Sequence, residues 1–426
     1  MGSMIAPVKG TRDFYPEDMF VRSWLYQKIR EVSQLFGYLE FDAPFLERID
    51  LYAAKSGEEL VREQAFVFQD RGGDAITLRP ELTPSLARMI AQRQKQLVFP
   101  QRWWSFGPFW RYERPQKGRT REFFQWNVDL LGADSPASDA ELLAICASFF
   151  KLVGLQADQV QVRVNSRHLM DRVIAEIGID SQKKQSVFQL IDKRDKLSMD
   201  SWHSLAIEND INETQFDLLV KALADKNLWK KSDELVSVFD MLSQMDLAEY
   251  VSFDPQVIRG LDYYTGIVFE ARDISKDGRA ILGGGHYGNL VSDVGGDPLP
   301  GVGFAMGDVM MRLVLEKYGC LPEFQNTTAS VLVTVFDQEL LPKSLQLAGQ
   351  IRAGGIKCVC MTEVSKLVKQ FKYADRIGVP LVIVMGPEEV AKDEVTVKDL
   401  VTRSQENVTR ENLIDYLAIK LAQSSA

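Results

Sequence analysis

Residues 257–272 read VIRGLDYYTGIVFEAR, a run of β-branched and aromatic residues that predicts a β-strand. The run also contains the charged residues Arg259 and Glu270, and it places Tyr263 beside Tyr264. Successive side chains of a strand point to opposite faces of its sheet. Polar groups would therefore lie on both faces of a strand that otherwise has a buried composition, which indicates a role besides packing.

The rest of the chain has the composition of a globular protein. It has 426 residues, a length that predicts two or three domains, with 46% hydrophobic and 26% charged residues. We expect no membrane span, because no apolar run reaches about 18 residues. The first ten residues, MGSMIAPVKG, lack the apolar core of a signal peptide. The net charge of −9 excludes a protein coated in basic charge but allows local contacts with nucleic acid.

Cysteine and histidine are both scarce. The chain has four cysteines and three histidines, all well separated except for the alternating Cys358 and Cys360. A structural zinc site needs about four such ligands, so we expect no structural metal. Few, unpaired cysteines are typical of a reducing compartment, which predicts a cytoplasmic protein.

The pattern of elements changes twice along the chain. Strand-rich sequence gives way to mostly helical sequence at about 158–250, which we interpret as an insertion, and then resumes at Val251. Gly, Pro, Asn, Thr and Ser cluster at 319–330, as in a linker. Beyond it, short apolar strands alternate with helices, which indicates a small α/β domain. The predicted domains are 1–322 and 328–426.

A basic loop joins two predicted strands between residues 101 and 131. Its basic residues are Arg111, Arg114, Lys117, Arg119 and Arg121, opposed by Glu113. One guanidinium group can donate two parallel hydrogen bonds to the oxygens of a phosphate. The loop is therefore suited to bind a polyphosphate. The alternative is an ordinary solvated hairpin.

Two further groups could form a ligand pocket. Gln125, Asn127 and Asp129 share one face of the second strand at period 2. This polar row could line a pocket, or it could be the outer face of a half-exposed strand. Glu81 and Thr83 lie where a strand gives way to a helix, and they could bind an ammonium group. Thr83 is also predicted to cap that helix.

Together these groups are suited to the activation of an amino acid by ATP. The basic loop would bind the phosphates of ATP. Glu81 and Thr83 would bind the amino group of the amino acid, and the polar row on the second strand would bind its side chain. Negative charge that builds on the transferring oxygens would be stabilised by arginines and by Mg²⁺ bound with the ATP. The sequence has no GxxxxGK[ST] motif, so a P-loop does not supply the phosphate site, and the glycine-rich run GGGHYG at 283–288 is by itself a weak signal.

At these residues the chain resembles the histidyl-tRNA synthetases, which are class II aminoacyl-tRNA synthetases. The resemblance rests on FDAPFLERIDLY (41–52), FWRYERPQKGRTREFFQ (109–125) and RGLDYYTGIVFE (259–270). It implies an α+β fold: a catalytic domain on an antiparallel sheet with a helical insertion, followed by a C-terminal α/β anticodon-binding domain. It also implies ATP-dependent activation of L-histidine and transfer of the histidyl group to tRNA(His).

The resemblance also implies roles for the nucleotide-binding residues. Arg259 and Arg111 would act on the α-phosphate as the catalytic residues, and Arg259 would also contact the substrate carboxylate. Glu113 would bind the adenine amino group, and Arg119 would reach the terminal phosphates.

For the amino acid, the same resemblance implies a polar pocket. Glu81 and Thr83 would bind the α-amino group. The remaining histidine-binding residues would be Gln125, Asp129, Tyr263, Tyr264 and Tyr287.

Two stretches depart from the family pattern. The family's GGRYDG loop reads GGHYGN here, at residues 284–289, so an ion pair formed by the missing arginine and aspartate would be absent. In the motif GVGFAMGDVMMRL, Met310 stands where the family has an arginine. Arg312 lies about 200° further around a helix and cannot simply replace it.

The resemblance extends to partners. Residues 41–52 correspond to the dimer-interface motif of the family, which implies a homodimer. In the C-terminal domain, Lys366, Lys369 and Lys372 or Arg376 recur at helical spacing and could contact RNA phosphates or form a solvated face.

Two other functions were considered. A paralogue of this fold is a non-catalytic regulatory subunit of ATP phosphoribosyltransferase in histidine biosynthesis, and it lacks the anticodon domain. A prolyl- or threonyl-type synthetase would not carry RGLDYY.

Overall fold

A computed structural model describes residues 5–53, 63–116, 118–258, 264–275, 280–289, 291–324 and 326–424. The chain forms two compact units. The first comprises Val21–Pro322 with the start of the chain up to Phe14, and the second comprises Glu323–Ala426 with Tyr15–Phe20. No helix in the described ranges is both long enough and apolar enough to span a membrane.

The described strands, in chain order, are β1 (Leu39–Glu40), β2 (Leu46–Arg48), β3 (Phe66–Gln69), β4 (Ala75–Leu78), β5 (Gln101–Trp110), β6 (Glu122–Leu131), β7 (Val160–Ser166), β8 (Val251–Phe253), β9 (Tyr264–Asp273), β10 (Ala280–Tyr287), β11 (Gly301–Gly307), β12 (Val331–Val333), β13 (Cys358–Cys360), β14 (Leu381–Val384), β15 (Glu394–Asp399) and β16 (Gln405–Thr409).

The described α-helices are α1 (Pro16–Leu35), α2 (Asp50–Ala53), α3 (Thr83–Arg93), α4 (Pro136–Leu152), α5 (Arg167–Glu176), α6 (Lys184–Asp192), α7 (Met199–Glu208), α8 (Glu213–Ala224), α9 (Asp233–Gln244), α10 (Asp308–Lys317), α11 (Leu341–Ala353), α12 (Leu367–Ile377), α13 (Pro387–Lys392) and α14 (Leu413–Ser424).

The first unit is built on an eight-stranded sheet in the order β1-β5-β6-β11-β10-β9-β7-β8. The strands from β5 to β7 in this order pair antiparallel, and only the pairs β1–β5 and β7–β8 are parallel. The antiparallel-sheet fold predicted for the larger domain is thus confirmed. A smaller sheet, β2-β4-β3, contains an antiparallel hairpin of β3 and β4 whose turn includes Gly72 and Gly73.

Alternation along β6 separates the two faces of the large sheet. Trp126, Val128 and Leu130 are buried in the main apolar core together with residues of α4. Gln125, Asn127 and Asp129 therefore lie on the opposite face. Asn127 and Asp129 are also buried, so this strand is not the half-exposed strand of the alternative interpretation. The polar residues Asn127 and Asp129 are therefore shielded from solvent on this face of the sheet.

The helix α3 begins differently from the prediction. Its N-cap is Leu82, which provides no side-chain hydrogen bond, and Thr83 is already the first helical residue. The prediction of Thr83 as N-cap was therefore wrong. Leu82 is buried in an apolar cluster with Ala43 and Phe109, and this packing sets the start of the helix. Burial has here outweighed the preference for a capping hydroxyl.

The strand predicted from Val257 does not include its first two residues, and its described part is β9, Tyr264–Asp273. Val257 and Ile258 are buried outside any strand. The carbonyl of Ile258 accepts a hydrogen bond from Nη2 of Arg167 at 3.3 Å, so it is bonded to a side chain rather than to a neighbouring strand. Arg259 and Tyr263 lie outside the described residues.

The helical region also starts later than the sequence indicated. Residues 160–166 form β7, which pairs antiparallel with β9 inside the large sheet. The helices α5 to α9 then run from Arg167 to Gln244, before β8 returns to the sheet.

The second unit is a five-stranded sheet in the order β13-β12-β14-β15-β16. Helices α11 and α14 pack on one side, with Leu347 and Leu417 in a cluster that contains Val331 and Val333. Helix α12 belongs to a separate cluster, in which its Ala374 meets Leu332 and Val382. Because neighbouring strand residues point to opposite faces, α12 covers the other side of the sheet from α11.

Candidate active site

The hairpin formed by β5 and β6 holds Arg111 in a fixed position. The Arg111 amide donates to the carbonyl of Arg121 at 2.9 Å, which closes the base of the loop. Its Nε donates to the carbonyl of Pro80 at 3.0 Å, and its guanidinium lies 5.4 Å from the centre of the Phe123 ring. Arg111 therefore joins the hairpin to the segment that carries Glu81.

At the tip of the hairpin, Glu113 and Arg119 form an ion pair of 3.3 Å. The Arg119 side chain is 58% exposed, so it can turn toward a ligand at small cost. Arg121 is used differently: it lies over the Tyr112 ring and donates to the carbonyl of Glu113 at 3.2 Å. Lys117 lies outside the described residues.

A cavity of about 290 Å³ lies against this hairpin. Its lining includes Arg111, Glu113, Arg119, Phe123, Gln125, Leu282, Gly283, Ala305, Gly307 and Met310. A second cavity of about 960 Å³ shares Arg119 and Met310 and extends to Lys196 and Arg272. Met310, which stands where the resemblance predicts an arginine, is thus part of the wall of both cavities.

Asp308 connects the cavity wall near Met310 to the N-terminal segment of the chain. The sequence did not identify Asp308 as a site residue. Its Oδ1 accepts from the amide of Phe124 at 2.8 Å, and its Oδ2 accepts from Nη2 of Arg12 at 2.9 Å. These bonds fix the first turn of α10, and with it Met310, against β6. The only sequence signal was a carboxylate at the first position of a predicted helix.

Asp129 and Tyr287 meet on the face of the sheet that carries Gln125. The Tyr287 hydroxyl donates to Oδ1 of Asp129 at 2.8 Å, and both side chains are buried. Burial raises the pKa of Asp129 from 3.8 to about 7, although the hydrogen bond from Tyr287 lowers it. The site therefore holds a carboxyl group that can ionise near neutral pH.

Glycines allow these side chains to lie close to the sheet. A Cβ atom at Gly303 would be only 2.3 Å from Oδ1 of Asp129. A Cβ atom at Gly285 would be 2.7 Å from the ring of Tyr264. The main chain itself is therefore the floor under Asp129 and Tyr264.

Tyr264 stands opposite Tyr287 in the pairing of β9 with β10. Both tyrosines share an apolar cluster with Leu86 and Ala87 of α3. The first residue of this helix is Thr83, and Glu81 precedes it by two residues. The cluster therefore fixes α3 above the sheet close to the two tyrosines.

The predicted site residues thus fall into two connected groups. Arg111, Glu113, Arg119 and Gln125 line one cavity. Asp129, Tyr264 and Tyr287 form a buried group, with α3 packed on the two tyrosines. Gln125 and Asp129 share one face of β6, about 13 Å apart along the strand, and so connect the groups.

The altered glycine loop contains an ionic contact that the sequence did not predict. Nδ1 of His286 lies 3.2 Å from Oδ1 of Asp139, and Nε2 lies 3.2 Å from Oδ1 of Asp134. The arginine and aspartate of the family pattern are missing here, but His286 makes contacts of its own with carboxylates. A histidine has taken the place of the arginine, and two carboxylates from outside the loop approach it.

Comparisons with known proteins agree with this geometry. A family model described as histidyl-tRNA synthetase matches residues 10–308, and one described as anticodon binding domain matches residues 330–420. A relative named histidine–tRNA ligase, chloroplastic/mitochondrial, from Arabidopsis thaliana is 36% identical over 419 residues, covering 96% of this chain and 86% of the relative.

Two solved structures share the fold. The crystal structure of histidyl-tRNA synthetase from Nostoc sp. PCC 7120 has a TM-score of 0.81 at 24% identity and covers 99% of this chain and 100% of its own. An ATP phosphoribosyltransferase regulatory subunit/histidyl-tRNA synthetase from Bacillus halodurans C has a TM-score of 0.69 at 21% identity, with 90% and 99% covered. The family matches and the near-complete overlap with the Arabidopsis relative confirm the predicted resemblance: the chain belongs to the histidyl-tRNA synthetase family.

Proposed function

We propose that this chain is a histidine–tRNA ligase, which joins L-histidine to ATP as histidyl-adenylate and then transfers the histidyl group to the 3′ end of tRNA(His). The observation that carries this proposal is the arrangement along β6. A cavity with two arginines lies at Gln125, and a buried polar pair lies at Asp129, on the same face of the same strand. A nucleotide and an amino acid can thus meet over one strand.

The nucleotide would occupy the cavity beside the hairpin. Arg111 is held by Pro80 and is suited to contact the α-phosphate, since its position needs no reorganisation. Glu113 would accept from the adenine amino group, and Arg119 would leave Glu113 to bind the terminal phosphates. Phe123 and Met310 supply apolar contacts for the base.

The amino acid would bind over the buried pair. Asp129 and Tyr287 would recognise the imidazole, with Tyr264, Tyr263 and Gln125 around it. Glu81 and Thr83 would bind the α-amino group at the start of α3. A site that pairs both imidazole nitrogens rejects apolar side chains of similar shape, because its buried polar groups would then lack partners.

In the reaction, an oxygen of the histidine carboxylate attacks the α-phosphorus of ATP, a new oxygen–phosphorus bond forms, and pyrophosphate leaves. Arg111 and Arg259 would stabilise the charge on the transferring oxygens. Mg²⁺ would enter with the ATP phosphates and neutralise part of their charge. Among the described residues no cluster of three potential metal ligands occurs, so we assign no protein ligands to this ion.

Transfer requires tRNA near the same site. The larger cavity, which shares Arg119 and Met310 with the nucleotide cavity, provides room for the 3′ end. In the second unit, Lys366, Lys369, Lys372 and Arg376 are all exposed on or beside α12 and would contact RNA phosphates.

We also infer a homodimer. The motif at 41–52 and the small sheet leave large apolar side chains exposed: Phe45 (45%), Leu46 (49%), Val67 (47%) and Phe68 (45%). Several large apolar side chains left exposed on one small sheet and the segment beside it are consistent with a protein interface. Sedimentation equilibrium would test this inference, and a monomer at micromolar concentration would contradict it.

The protein is proposed to act in the cytoplasm. Its four cysteines are all free thiols, as expected in a reducing compartment.

The regulatory subunit of ATP phosphoribosyltransferase is the second candidate, favoured only by Met310 in place of an arginine. A match to the anticodon binding domain at residues 330–420 supports the ligase instead. The two functions differ in one assay: histidine-dependent exchange of labelled pyrophosphate into ATP, run with each of the twenty amino acids. Exchange with histidine alone is expected, and no exchange above background would favour the regulatory subunit.

Within that assay, Arg259→Ala tests the catalytic arginine. We expect exchange to fall by orders of magnitude while histidine binding changes less. Equal losses of exchange and binding would contradict a role in the transition state.

A further inference from the structure

His286 lies on the side of β10 that faces away from the proposed substrate, and each of its ring nitrogens faces a carboxylate. Nδ1 is 3.2 Å from Asp139 at the start of α4, and Nε2 is 3.2 Å from Asp134 in the preceding loop. A neutral imidazole has one donor and one acceptor nitrogen, whereas an imidazolium has two donors. When both carboxylates are ionised, only the protonated ring matches them. Burial raises the pKa of Asp139, and the hydrogen bond and charge of His286 oppose that rise.

The other groups around His286 favour the same state. The imidazole is 9% exposed and the Asp139 side chain 4%. Glu234 of α9 adds a third negative charge, and it also contacts His168 and Ser166 at the start of α5. Burial lowers the pKa of His286, but the hydrogen bond and charge of Asp139, with the charges of Asp134 and Glu234, raise it overall.

The sheet pairing is irregular at this residue. On the β9 side, Gly285 pairs with Val268 and Tyr287 pairs with Tyr264. One residue of β10, His286, thus stands opposite three residues of β9. Such irregularities redirect side chains, and the strand is held less regularly on the β9 side than on the β11 side, where His286 pairs with Val302 and Tyr287 with Gly301. The contacts of His286 supply an anchor at this point.

The next residue along β10 is Tyr287, whose hydroxyl donates to Asp129. Because adjacent side chains on a strand point to opposite faces, anchoring His286 on the helix side also sets the direction of Tyr287 on the substrate side. The two faces of β10 are thereby connected through one peptide unit.

We propose that protonated His286 is a positioning residue that ties β10 to Asp139 and Asp134 and so holds Tyr287 against Asp129, making the affinity for L-histidine fall as His286 loses its proton. The inference rests on the proposed function, because Asp129 and Tyr287 are taken to bind the substrate side chain. It adds a pH-dependent determinant of affinity on the opposite face of the sheet.

The test is equilibrium dialysis of labelled L-histidine against the full chain between pH 6 and 9, without ATP. For each variant, the ratio of its dissociation constant to that of the wild type is taken at each pH, which cancels the ionisation of free histidine and of Asp129. For His286→Asn the ratio should be about ten at pH 6, the effect of losing about one net hydrogen bond, and should approach one at high pH. A ratio near one at pH 6, or a ratio that does not change with pH, would overturn the proposal.

His286→Arg is the rescue variant, because its charge does not depend on pH in this range. The ratio of its dissociation constant to that of the wild type should be close to one at pH 6, where both proteins carry the charge. At pH 9 the ratio should be below one, because only the arginine variant keeps the charge. Room for the longer side chain exists toward Asp134, which is 75% exposed. Failure of arginine to reduce the pH dependence, in a variant with wild-type thermal stability, would contradict a role for the charge.

Asp134→Asn is a second variant that tests the proposal even if the His286 variants do not fold. Loss of this exposed carboxylate leaves Asp139 in place and should move the pH dependence of affinity to lower pH, while affinity at pH 6 stays close to that of the wild type. If the pH dependence of L-histidine affinity in Asp134→Asn were the same as in the wild type, the proposal would be contradicted. His203→Asn is the matched control, since His203 pairs with Glu213 at 2.8 Å on the surface of the helical region and should leave binding unchanged.

The same measurements separate the inference from the function on which it rests. Wild-type protein that binds no L-histidine at any pH would overturn the proposed ligase function. Wild-type protein that binds L-histidine, together with an equally tight His286→Asn variant, would overturn only the role of His286.

Discussion

The hydroxyl of Tyr287 donates a 2.8 Å hydrogen bond to Oδ1 of Asp129, and a Cβ atom at Gly303 would come within 2.3 Å of that same oxygen. The carboxyl group is thus held between a phenol and the main chain. Its neighbours leave little space for movement, and the residue is only 6% exposed. Its charge and its position are therefore both sensitive to single substitutions.

The first prediction concerns the charge of Asp129. Its pKa is raised from 3.8 to about 7, so between these values the folded protein keeps a proton that the unfolded chain has lost. Stability from this group therefore falls as pH rises through that range. Asp129→Asn removes the titration, and its stability relative to the wild type should increase by about 2–3 kcal/mol between pH 5 and pH 8.

Urea unfolding of both proteins at the two pH values measures this difference. Asp158→Asn, at an exposed carboxylate, is the control and should show no such trend. A stability difference for Asp129→Asn that stays constant with pH would show that the buried carboxyl does not titrate as stated.

The second prediction concerns Gly303. Alanine at this position would push its methyl group against Asp129 and against the carbonyl of Val128, 2.8 Å away. We expect a stability loss of about 1–3 kcal/mol, as for overpacked cores, and a higher KM for histidine. Pyrophosphate exchange and thermal unfolding measure the two effects.

Gly349→Ala is the matched control for Gly303→Ala. Gly349 lies within α11, and a Cβ atom there would meet nothing within 4 Å. This change should leave exchange unaltered and raise stability by up to about 1 kcal/mol. An unchanged histidine KM in Gly303→Ala would contradict the proposed place of Asp129 in the substrate pocket.

The third prediction concerns Arg119. Its side chain is 58% exposed in the ion pair with Glu113, so the pair contributes less than about 1 kcal/mol to stability. Arg119→Met should therefore leave the unfolding temperature unchanged. The KM for ATP should rise about tenfold or more, because a charged hydrogen bond to phosphate is lost. The KM for histidine should not change.

Arg114→Met serves as the control for Arg119→Met. Arg114 is an exposed arginine of the same loop that does not line the nucleotide cavity. If both variants raised the KM for ATP equally, general loop charge rather than a specific contact would explain the effect.

The fourth prediction concerns the exposed lysines of α12 that we propose to contact RNA. Lys369→Gln and Lys372→Gln should each weaken tRNA binding and lower the slope of log affinity against log salt by about 0.7–0.9. Pyrophosphate exchange, which needs no tRNA, should be unaffected. Binding measured by filter retention at several salt concentrations gives the slope.

Lys343 provides the comparison for the fourth prediction. It is exposed on α11, which covers the opposite side of the five-stranded sheet from α12. Lys343→Gln should leave the salt slope unchanged. Equal slopes for all three variants would place the RNA elsewhere.

The sequence predicted the hairpin between β5 and β6 and the shared face of Gln125 and Asp129, because both follow from strand periodicity and turn residues. It did not predict that Leu82 starts α3 or that Val257 and Ile258 leave the strand. These features depend on packing against residues distant in the chain, such as Phe109 and Arg167. Local propensity carries no information about such neighbours.

The contacts of single charged residues were also beyond local reasoning. Nothing near His286 in the sequence indicated that Asp134 and Asp139, about 150 residues earlier, would meet it. The same holds for Asp308, whose partner Arg12 lies 296 residues away in the chain. Long-range pairs of this kind become visible only when the order of strands is known.

The close contact between main chain and side chains at Gly303 and Gly285 also limits how this enzyme could be redesigned. A variant designed to accept a larger amino acid in the proposed pocket cannot gain space at these two positions, because glycine has no side chain to be shortened. New space has to be created on the side of α3, by replacing residues such as Leu86, which packs with Tyr264 and Tyr287, with smaller ones. The proposed pocket can therefore be enlarged from the side of α3 but not at Gly303 and Gly285.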